Sequence, residues 1–286
     1  MAYDMDDIAF ETQGPLRTLM RRLVTQPLSN YLIPSGALRW LLAWSKSDLA
    51  AANWDNPGGW RSMVISYDGN PRQFADRLLV NGGAMSMALR NRRRLAGRVL
   101  ADLIDACPSS VPQVLCVGAG PGIIILDAVQ RARKPAQATL VDLNDQAHEH
   151  ARSLAKDAGL ADRFRYVSGD IRSMDLQQLM HCKPDIVKLI GICEYLEDAM
   201  IVEIAQAVSR AAGPGCAVVF NSLSTDHGSD RFFRRVFGLH MIHRTPAQLQ
   251  QLLGSAGFGS FETLAEPMGV YHVCIGRKDG QAVPGR

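Results

Sequence analysis

The sequence predicts an α/β fold in which a helical N-terminal region precedes a mostly parallel sheet. Beyond residue 113, short runs rich in β-branched residues alternate with stretches of helical spacing. A turn-rich break at residues 108–112 separates this alternation from the N-terminal region. Two closing apolar runs, joined by residues 266–269, indicate an antiparallel hairpin. Strands that alternate with helices form βαβ units, and such units build parallel sheets.

The composition is that of a globular chain and argues against several classes of protein. The 286 residues include 31 Lys+Arg and 28 Asp+Glu, so the formal net charge is only +3, whereas nucleic-acid binders usually carry a strong basic excess. No apolar run approaches the roughly 20 residues that span a bilayer, and the acidic N-terminus does not resemble a secretory signal. The six cysteines form no CxxC pair, which favours reduced, buried thiols. We therefore expect a cytoplasmic chain with no nucleic-acid or membrane partner, and the oligomeric state stays open.

The N-terminal region is predicted to be mostly helical and to cover the sheet as a lid. All four tryptophans of the chain lie in it. A core of large aromatic side chains is the simpler interpretation, and a lid that offers aromatic faces to a ligand is the alternative. The sequence thus predicts a helical lid over residues 1–107, a catalytic domain over residues 108–279 and a flexible tail over residues 280–286.

Seven strands and at least three helices are predicted after the break. The parallel strands are expected at residues 114–117, 138–141, 164–167, 185–190 and 216–221, and the hairpin strands at residues 258–265 and 270–276. The helices are expected at residues 123–133, 145–160 and 197–212. In the second helix, apolar residues recur at intervals of three and four, which gives it one face to bury.

A glycine-rich loop follows the first predicted strand and contains Gly118, Gly120 and Gly122. Glycines allow a sharp turn and close approach of a ligand, and the helix that follows presents free N–H groups. Asp142 ends the second strand, where a carboxylate can accept both hydroxyls of a ribose. A nicotinamide cofactor is disfavoured, because its loop needs a third glycine three residues after the second to seat a pyrophosphate. Here Pro121 stands between two glycines that are only two residues apart.

With these motifs in this order, residues 90–278 resemble the class I S-adenosylmethionine-dependent methyltransferase family. The resemblance implies a Rossmann-like sheet of seven strands, with S-adenosylmethionine as the cofactor. It also implies that the three glycines line the methionine part of the cofactor and that Asp142 holds the ribose. Asp170 and Ile171, which follow the third strand, would frame the adenine.

One position departs from the family pattern. Where the family usually has an acid two residues before the first glycine, this chain has Cys116. Other groups must then satisfy the ammonium and the carboxylate of the cofactor, because burying either one unpaired is costly. Arg90 and Arg92 are the candidates for the carboxylate, whereas Arg93 and Arg94 are expected to face solvent. The candidates near the amine are Asn144, Glu194, Tyr195 and Ser222.

The predicted catalytic residues are Tyr195, Ser222 and Glu194. Tyr195 and Glu194 follow the fourth strand, where the resemblance places groups that face the substrate. Tyr195 can stack on a sulfonium or hydrogen-bond an amine, and Glu194 can act as a base or bind a cation. The alternative is that either one merely caps the following helix. No metal is expected, because His240 and His243, the histidines that sit close at a possible ligand spacing, have no carboxylate near them in sequence.

Three functions are consistent with the sequence. The first is methyl transfer from S-adenosylmethionine to a small molecule. The second is cyclisation of S-adenosylmethionine itself to azetidine-2-carboxylate with release of methylthioadenosine, because the chain is also similar to bacterial azetidine-2-carboxylate synthases. The absence of an acid at Cys116 favours this reaction, since a nearby carboxylate would keep the attacking amine protonated. The third is a non-catalytic S-adenosylmethionine-binding protein, which the intact motifs disfavour.

Overall fold

The computed structural model describes Met5, residues 7–176 and residues 183–278. The described strands form one seven-stranded sheet in the order β3-β2-β1-β4-β5-β7-β6. They are β1 (Gln113–Val117), β2 (Gln137–Asp142), β3 (Phe164–Ser168), β4 (Ile186–Leu189), β5 (Ala217–Leu223), β6 (Phe258–Ala265) and β7 (Tyr271–Lys278). The first five are parallel to one another, whereas β7 is antiparallel to β5 and to β6. The predicted mostly parallel sheet with a C-terminal antiparallel hairpin is therefore confirmed.

Helices cover both faces of the sheet. The N-terminal helices are α1 (Pro15–Met20), which continues through two π-helical turns to residue 32, α2 (Ser35–Trp44), α3 (Asp48–Asp55), α4 (Trp60–Asp68), α5 (Phe74–Gly82) and α6 (Ala84–Ala106). The later helices are α7 (Ile123–Arg131), α8 (Asp145–Asp157), α9 (Asp198–Ala211), α10 (Asp230–Phe232) and α11 (Pro246–Gly254). Strands β4 and β5 are buried along their whole length, as expected for parallel strands between two helical layers.

The helix bounds differ slightly from the predicted ones for local reasons. Helix α8 ends at Asp157 rather than at residue 160, because Gly159 adopts φ +70° and leaves the helical conformation. Its start agrees with the prediction, since the Asn144 side chain accepts a hydrogen bond from the Ala147 N–H and caps the first turn. The helix predicted at residues 197–212 loses one residue at each end.

The N-terminal region shares its core with the sheet. Helix α6 packs against α7 and β7, and most of its residues are buried. One hydrophobic cluster runs without a break from Leu42 and Leu100 in the helices to Val219 and Tyr271 in the strands. The predicted boundary between a lid and a catalytic domain therefore crosses a hydrophobic core that both regions share. The division into two domains stays a prediction. The predicted tail at residues 280–286 lies outside the described residues.

The tryptophans do not form a common core. Trp40 and Trp44 are 66% and 70% exposed and stack on each other with ring centroids 6.3 Å apart. The expectation of an aromatic core is wrong for these two, because they belong to the outer face of α2. Trp54 is partly buried and donates from Nε1 to the Val236 carbonyl at 2.8 Å. Trp60 lines the cavity at the carboxyl ends of the strands that is described below.

The segment around Glu11, which precedes α1, is bound to helix α6 by charged and polar side chains. Glu11 accepts two hydrogen bonds from Arg90, at 2.7 and 2.6 Å, and pairs with Arg94 at 3.0 Å. Its backbone N–H donates to Asn91 Oδ1 and its carbonyl accepts from Asn91 Nδ2, both at 2.8 Å. The hydrogen bonds from Arg90 lower the pKa of the Glu11 carboxyl below its ordinary value. Arg94, which was expected to face solvent, is therefore half-buried in an ion pair.

The cysteines of the described chain agree with the expectation of reduced thiols. The five described cysteines are buried and free, as predicted for reduced thiols, and Cys182 lies outside the described residues. In the described part of the chain, no helix combines the length and the apolar character that crossing a membrane requires.

Replacement of Glu11 tests the contribution of this charged contact to stability. Glu11→Gln is expected to lower the unfolding free energy at pH 7 by about 1–3 kcal/mol, since the buried Arg90 loses its counter-charge. Because the folded-state pKa lies below the ordinary value of 4.5, the wild type has this contribution above that pH and loses it as the pH falls through the folded-state pKa. Urea denaturation at pH 7 and pH 4 measures it. Glu149→Gln on the exposed face of α8 is the control, and equal losses in both variants would contradict the assignment.

Candidate functional site

A cavity of about 240 Å³ lies where the carboxyl ends of the strands meet the N-terminal helices. In a parallel sheet the loops at these ends converge, which is why ligands of doubly wound folds bind there. The sheet side of the cavity is formed by the glycine loop, Asp142, Asn144, Lys188 and the segment after β4. The opposite side is formed by helices α3, α4 and α6 and by the aromatic residues that follow α10. The site is thus enclosed by both predicted regions of the chain.

The three loop glycines have different roles. All three have positive φ angles, between +55° and +69°, which side-chain-bearing residues rarely adopt. A Cβ on Gly120 would meet no atom within 4 Å, so the backbone here borders open cavity. A Cβ on Gly118 would overlap Ile192, and one on Gly122 would lie 2.9 Å from Ala151 of α8. Gly122 was predicted to contact the cofactor, but it is not among the cavity-lining residues and instead allows α7 and α8 to pack closely.

Asp142 is held at the end of β2 by backbone donors. Its Oδ2 accepts from the Gly120 N–H at 2.7 Å, and its Oδ1 accepts from the Asn144 N–H at 3.0 Å. A carboxylate has about four lone-pair sites, so two remain for groups in the cavity. Asn144 also lines the cavity, although its Oδ1 is already used to cap α8.

A second depression, of about 260 Å³, shares Gly118 and Asp142 with the cavity. Asp170 and Ile171, which the resemblance places around the adenine, border it. Ile171 is buried and supplies an apolar wall. The Asp170 carboxylate pairs with Arg172 at 2.5 Å, and these hydrogen bonds lower its pKa.

A buried ion pair forms the floor of the cavity. Arg92 Nη1 donates to Glu194 Oε1 at 2.9 Å, and each side chain is only 3% exposed. Arg92 Nη2 donates to the Tyr67 hydroxyl at 3.1 Å, and the guanidinium lies 4.5 Å from the centroid of the Tyr271 ring. Glu194 was predicted to act as a base or to bind a cation. Its charge is neutralised within the protein by Arg92, so the structure favours a positioning role over proton transfer.

Tyr195 faces the cavity, as predicted. The residue is 39% exposed and lines the cavity. A Cβ on Gly58 would lie 2.7 Å from the Tyr195 hydroxyl, so the α3–α4 loop of the N-terminal region packs directly on it. Burial raises the pKa of the Tyr195 hydroxyl. Tyr195 is therefore a neutral hydroxyl that can donate and accept hydrogen bonds.

Two predicted residues are directed away from the cavity. Ser222 Oγ lies 3.4 Å from His272 Nδ1, on the far side of the sheet. Neighbouring strand residues point to opposite faces, so Asn221 lies on the face opposite to Ser222 and binds the segment after β4: its Oδ1 accepts from the Gly191 N–H at 2.8 Å. Strand alternation applied to the end of β5 would have identified Asn221.

Arg90 is the second predicted residue that is directed away from the cavity. It is buried, but its guanidinium binds Glu11 and donates to the carbonyls of Ser66 and Val80. Residues two apart on a helix project in nearly opposite directions. Only Arg92 of the two arginines therefore reaches the cavity.

Sequence reasoning missed Lys188. It lies in the middle of β4, is 3% exposed, lines the cavity, and donates from Nζ to the Ile190 carbonyl at 3.2 Å. Burial lowers its pKa. Its register partner in β1 is Cys116, and burial raises the pKa of that thiol to about 11, so the thiol is neutral. A lysine within an otherwise apolar strand run was the signal available in the sequence.

Comparisons with known proteins agree with this fold. Residues 114–216 match a family of methyltransferase domains. Aclacinomycin 10-hydroxylase RdmB of Streptomyces purpurascens is 33% identical over 171 residues, which cover 57% of this chain and 43% of that protein. The chain thus matches less than half the length of this relative. The relative is named a hydroxylase, so the similarity does not specify the reaction.

Solved structures show the same class I methyltransferase fold. The magnesium protoporphyrin IX methyltransferase of Synechocystis, with bound SAH, has a TM-score of 0.56 at 12% identity over 90% of this chain and 98% of that one. An O-methyltransferase family protein of Burkholderia thailandensis has a TM-score of 0.53 at 15% identity over 85% and 71%. At these identities the likeness is one of fold.

The different surroundings of Gly120 and Gly122 give a paired prediction. Gly120→Ala adds a side chain in open space, so it should cost only the backbone strain of about 1–2 kcal/mol. Gly122→Ala adds the same strain and also forces apart α7 and α8, for a total of about 2–4 kcal/mol. Urea denaturation of the two variants measures both losses. A loss in Gly120→Ala as large as that in Gly122→Ala would contradict the packing role of Gly122.

Proposed function

We propose that this chain, whose residues 114–216 match a family of methyltransferase domains, uses S-adenosylmethionine to transfer a methyl group to a small molecule. The observation that carries the proposal is the cavity between the glycine loop with Asp142 and the N-terminal helices. A cavity bounded on two sides limits the access of water and favours a small acceptor. The small-molecule acceptor and the full activity are part of the proposal.

The described residues fit the cofactor of this superfamily. The open space beside Gly120 would be filled by a ligand, since no protein atom lies within 4 Å of the position of a Cβ there. The two remaining lone-pair sites on Asp142 suit a pair of ribose hydroxyls. The apolar wall at Ile171 suits a flat base, and the depression that it borders joins the cavity at Asp142.

The residues around the cavity would position the acceptor more than they would move protons. When bound, S-adenosylmethionine supplies a methyl carbon made electrophilic by its sulfonium. Tyr195 offers an aromatic face and a neutral hydroxyl to a cation or an acceptor. Glu194 is held by Arg92 and Asn221, so it keeps the segment after β4 in place. Positioning of this kind accounts for a large share of catalysis in group transfer.

The acceptor side of the cavity is largely apolar. Its walls include Met63, Phe237 and Leu239. The polar side chains on the lid side are engaged within the lid: Asn53 Oδ1 accepts from the Gly58 N–H, and Ser62 Oγ donates to the Gly59 carbonyl. We therefore infer an acceptor with a mostly apolar body and one nucleophilic oxygen or nitrogen.

Cyclisation of S-adenosylmethionine is the second candidate, and the Cys116–Lys188 pair favours it. In this reaction S-adenosylmethionine is the substrate: its amine nitrogen forms a bond to its own γ-carbon, the bond from that carbon to sulfur breaks, and methylthioadenosine leaves. The neutral thiol of Cys116 does not stabilise an ammonium, and the cation of Lys188 disfavours one. Both effects would favour the neutral, nucleophilic form of the amine.

Product analysis distinguishes the two reactions. Purified protein is incubated with S-adenosylmethionine alone and then with a panel of small phenols, alcohols and amines, and the products are identified by mass spectrometry. Methyl transfer predicts S-adenosylhomocysteine only when an acceptor is present. Cyclisation predicts methylthioadenosine and a ring amino acid without any acceptor. Neither product under any condition would contradict both proposals.

Replacement of Asp142 tests the cofactor site. Asp142→Ala is expected to weaken binding of S-adenosylmethionine by several-fold to about a hundredfold, because hydrogen bonds to a charged group contribute about 1.5–3 kcal/mol each. Isothermal titration calorimetry measures the affinity, and Asp145→Ala at the first residue of α8 is the control. Unchanged affinity in a folded Asp142→Ala variant would remove this residue from the binding site.

A further inference from the structure

We infer that Lys188 binds the carboxylate of the amino-acid end of the bound cofactor, taking over on β4 the contact for which Arg90 was the expected candidate. This inference rests on the proposed function, since it takes S-adenosylmethionine as the ligand. It assigns the cavity a defined anion-binding end. The same residue would bind this carboxylate whether the reaction is methyl transfer or cyclisation.

The first support is that Lys188 is a buried amine with no carboxylate in direct contact with it among the described residues. Two cationic side chains are found among the described residues that line the cavity, Arg92 and Lys188. Arg92 is neutralised by Glu194 and also hydrogen-bonded to Tyr67. Lys188 forms no ion pair within the described part of the chain, and its one described hydrogen bond is to the Ile190 carbonyl. An ammonium has three donors, and burying it without an anion is costly.

The second support is the position of Lys188 in the sheet. Strand β4 lies directly beside β1, and Lys188 is the register partner of Cys116. Two residues beyond Cys116 the chain enters the glycine loop at Gly118. The Lys188 side chain therefore lines the cavity beside the loop that would contact the methionine part of the cofactor.

The third support is the chemistry of Cys116. An acid at this position would lie beside Lys188 and neutralise it, as Glu194 neutralises Arg92. The buried thiol is uncharged and leaves the ammonium available. The absence of an acid at position 116 and the presence of a buried lysine beside it thus both leave a place for an anion at Lys188. Asp142 and Glu194 act on Lys188 from a distance, so an anion in direct contact with its amine would have to belong to the ligand.

The test compares ligands that differ in a single group. S-adenosylhomocysteine has the carboxylate, its decarboxylated analogue S-adenosyl-3-thiopropylamine keeps the amine but lacks the carboxylate, and methylthioadenosine lacks both. Lys188→Met should weaken S-adenosylhomocysteine by about 10-fold to 100-fold, as expected for a charge-assisted contact. The affinities of the other two ligands should change less than twofold. Isothermal titration calorimetry on the full chain gives all three values.

Controls separate a binding role from a structural one. Lys183→Met removes an exposed positive charge just before β4 and should leave all three affinities unchanged. Lys188→Gln repeats the comparison with a polar, uncharged side chain in case the methionine variant folds poorly. The ratio between ligands is measured within one variant, so a partial loss of folded protein cancels. The carboxylate-specific loss in either variant would support the inference.

The contrary outcomes are distinct. Equal weakening of all three ligands would indicate a structural role for Lys188 and overturn the inference. No change for S-adenosylhomocysteine would place the carboxylate elsewhere and also overturn it, while leaving the proposed function intact. A wild-type chain that binds none of the three ligands would overturn the proposed function and the inference together.

Discussion

The buried contact between Arg92 and Glu194 joins the parts of the structure on which the cavity depends. Arg92 belongs to α6, which covers one face of the sheet, and Glu194 follows β4. Tyr67 of α4 and Tyr271 of β7 contact the same guanidinium. Two charges can remain in a protein interior only when they are paired and hydrogen-bonded, because each one loses its hydration. This requirement ties the N-terminal helices to the strand ends and gives the cavity a defined floor.

The same requirement explains why two buried cations near one another differ in character. Arg92 is matched by a carboxylate from the protein, whereas Lys188 faces an uncharged thiol across the β1–β4 pair. On the proposals made above, the cavity has an anion-binding end at Lys188 and a hydroxyl-binding end at Asp142. An apolar space under the lid helices would then receive the acceptor or the reacting carbon chain.

The class I methyltransferase fold limits the chemistry without specifying it. Folds of this kind host several reactions, and the reaction is determined by groups in the site rather than by the sheet. The 33% identical relative is named a hydroxylase, while the two solved structures described above are named methyltransferases. In the proposed function, the charges around the amino-acid end of the cofactor therefore matter more for the reaction than the topology does.

The sequence by itself determined the positions of the seven strands along the chain, the glycine loop and Asp142. These features depend on local periodicity and on spacing along the chain, and the structure places Gly120 and Asp142 in direct contact. Only the tertiary structure decided which of Arg90 and Arg92 reaches the cavity, since their carboxylate partners lie 79 and 102 residues away. It also exchanged Ser222 for Asn221, because the orientation of a strand end depends on the layers packed above and below it. A polar residue takes its role from the partner that neutralises it, and distant segments supply that partner only when the chain has folded.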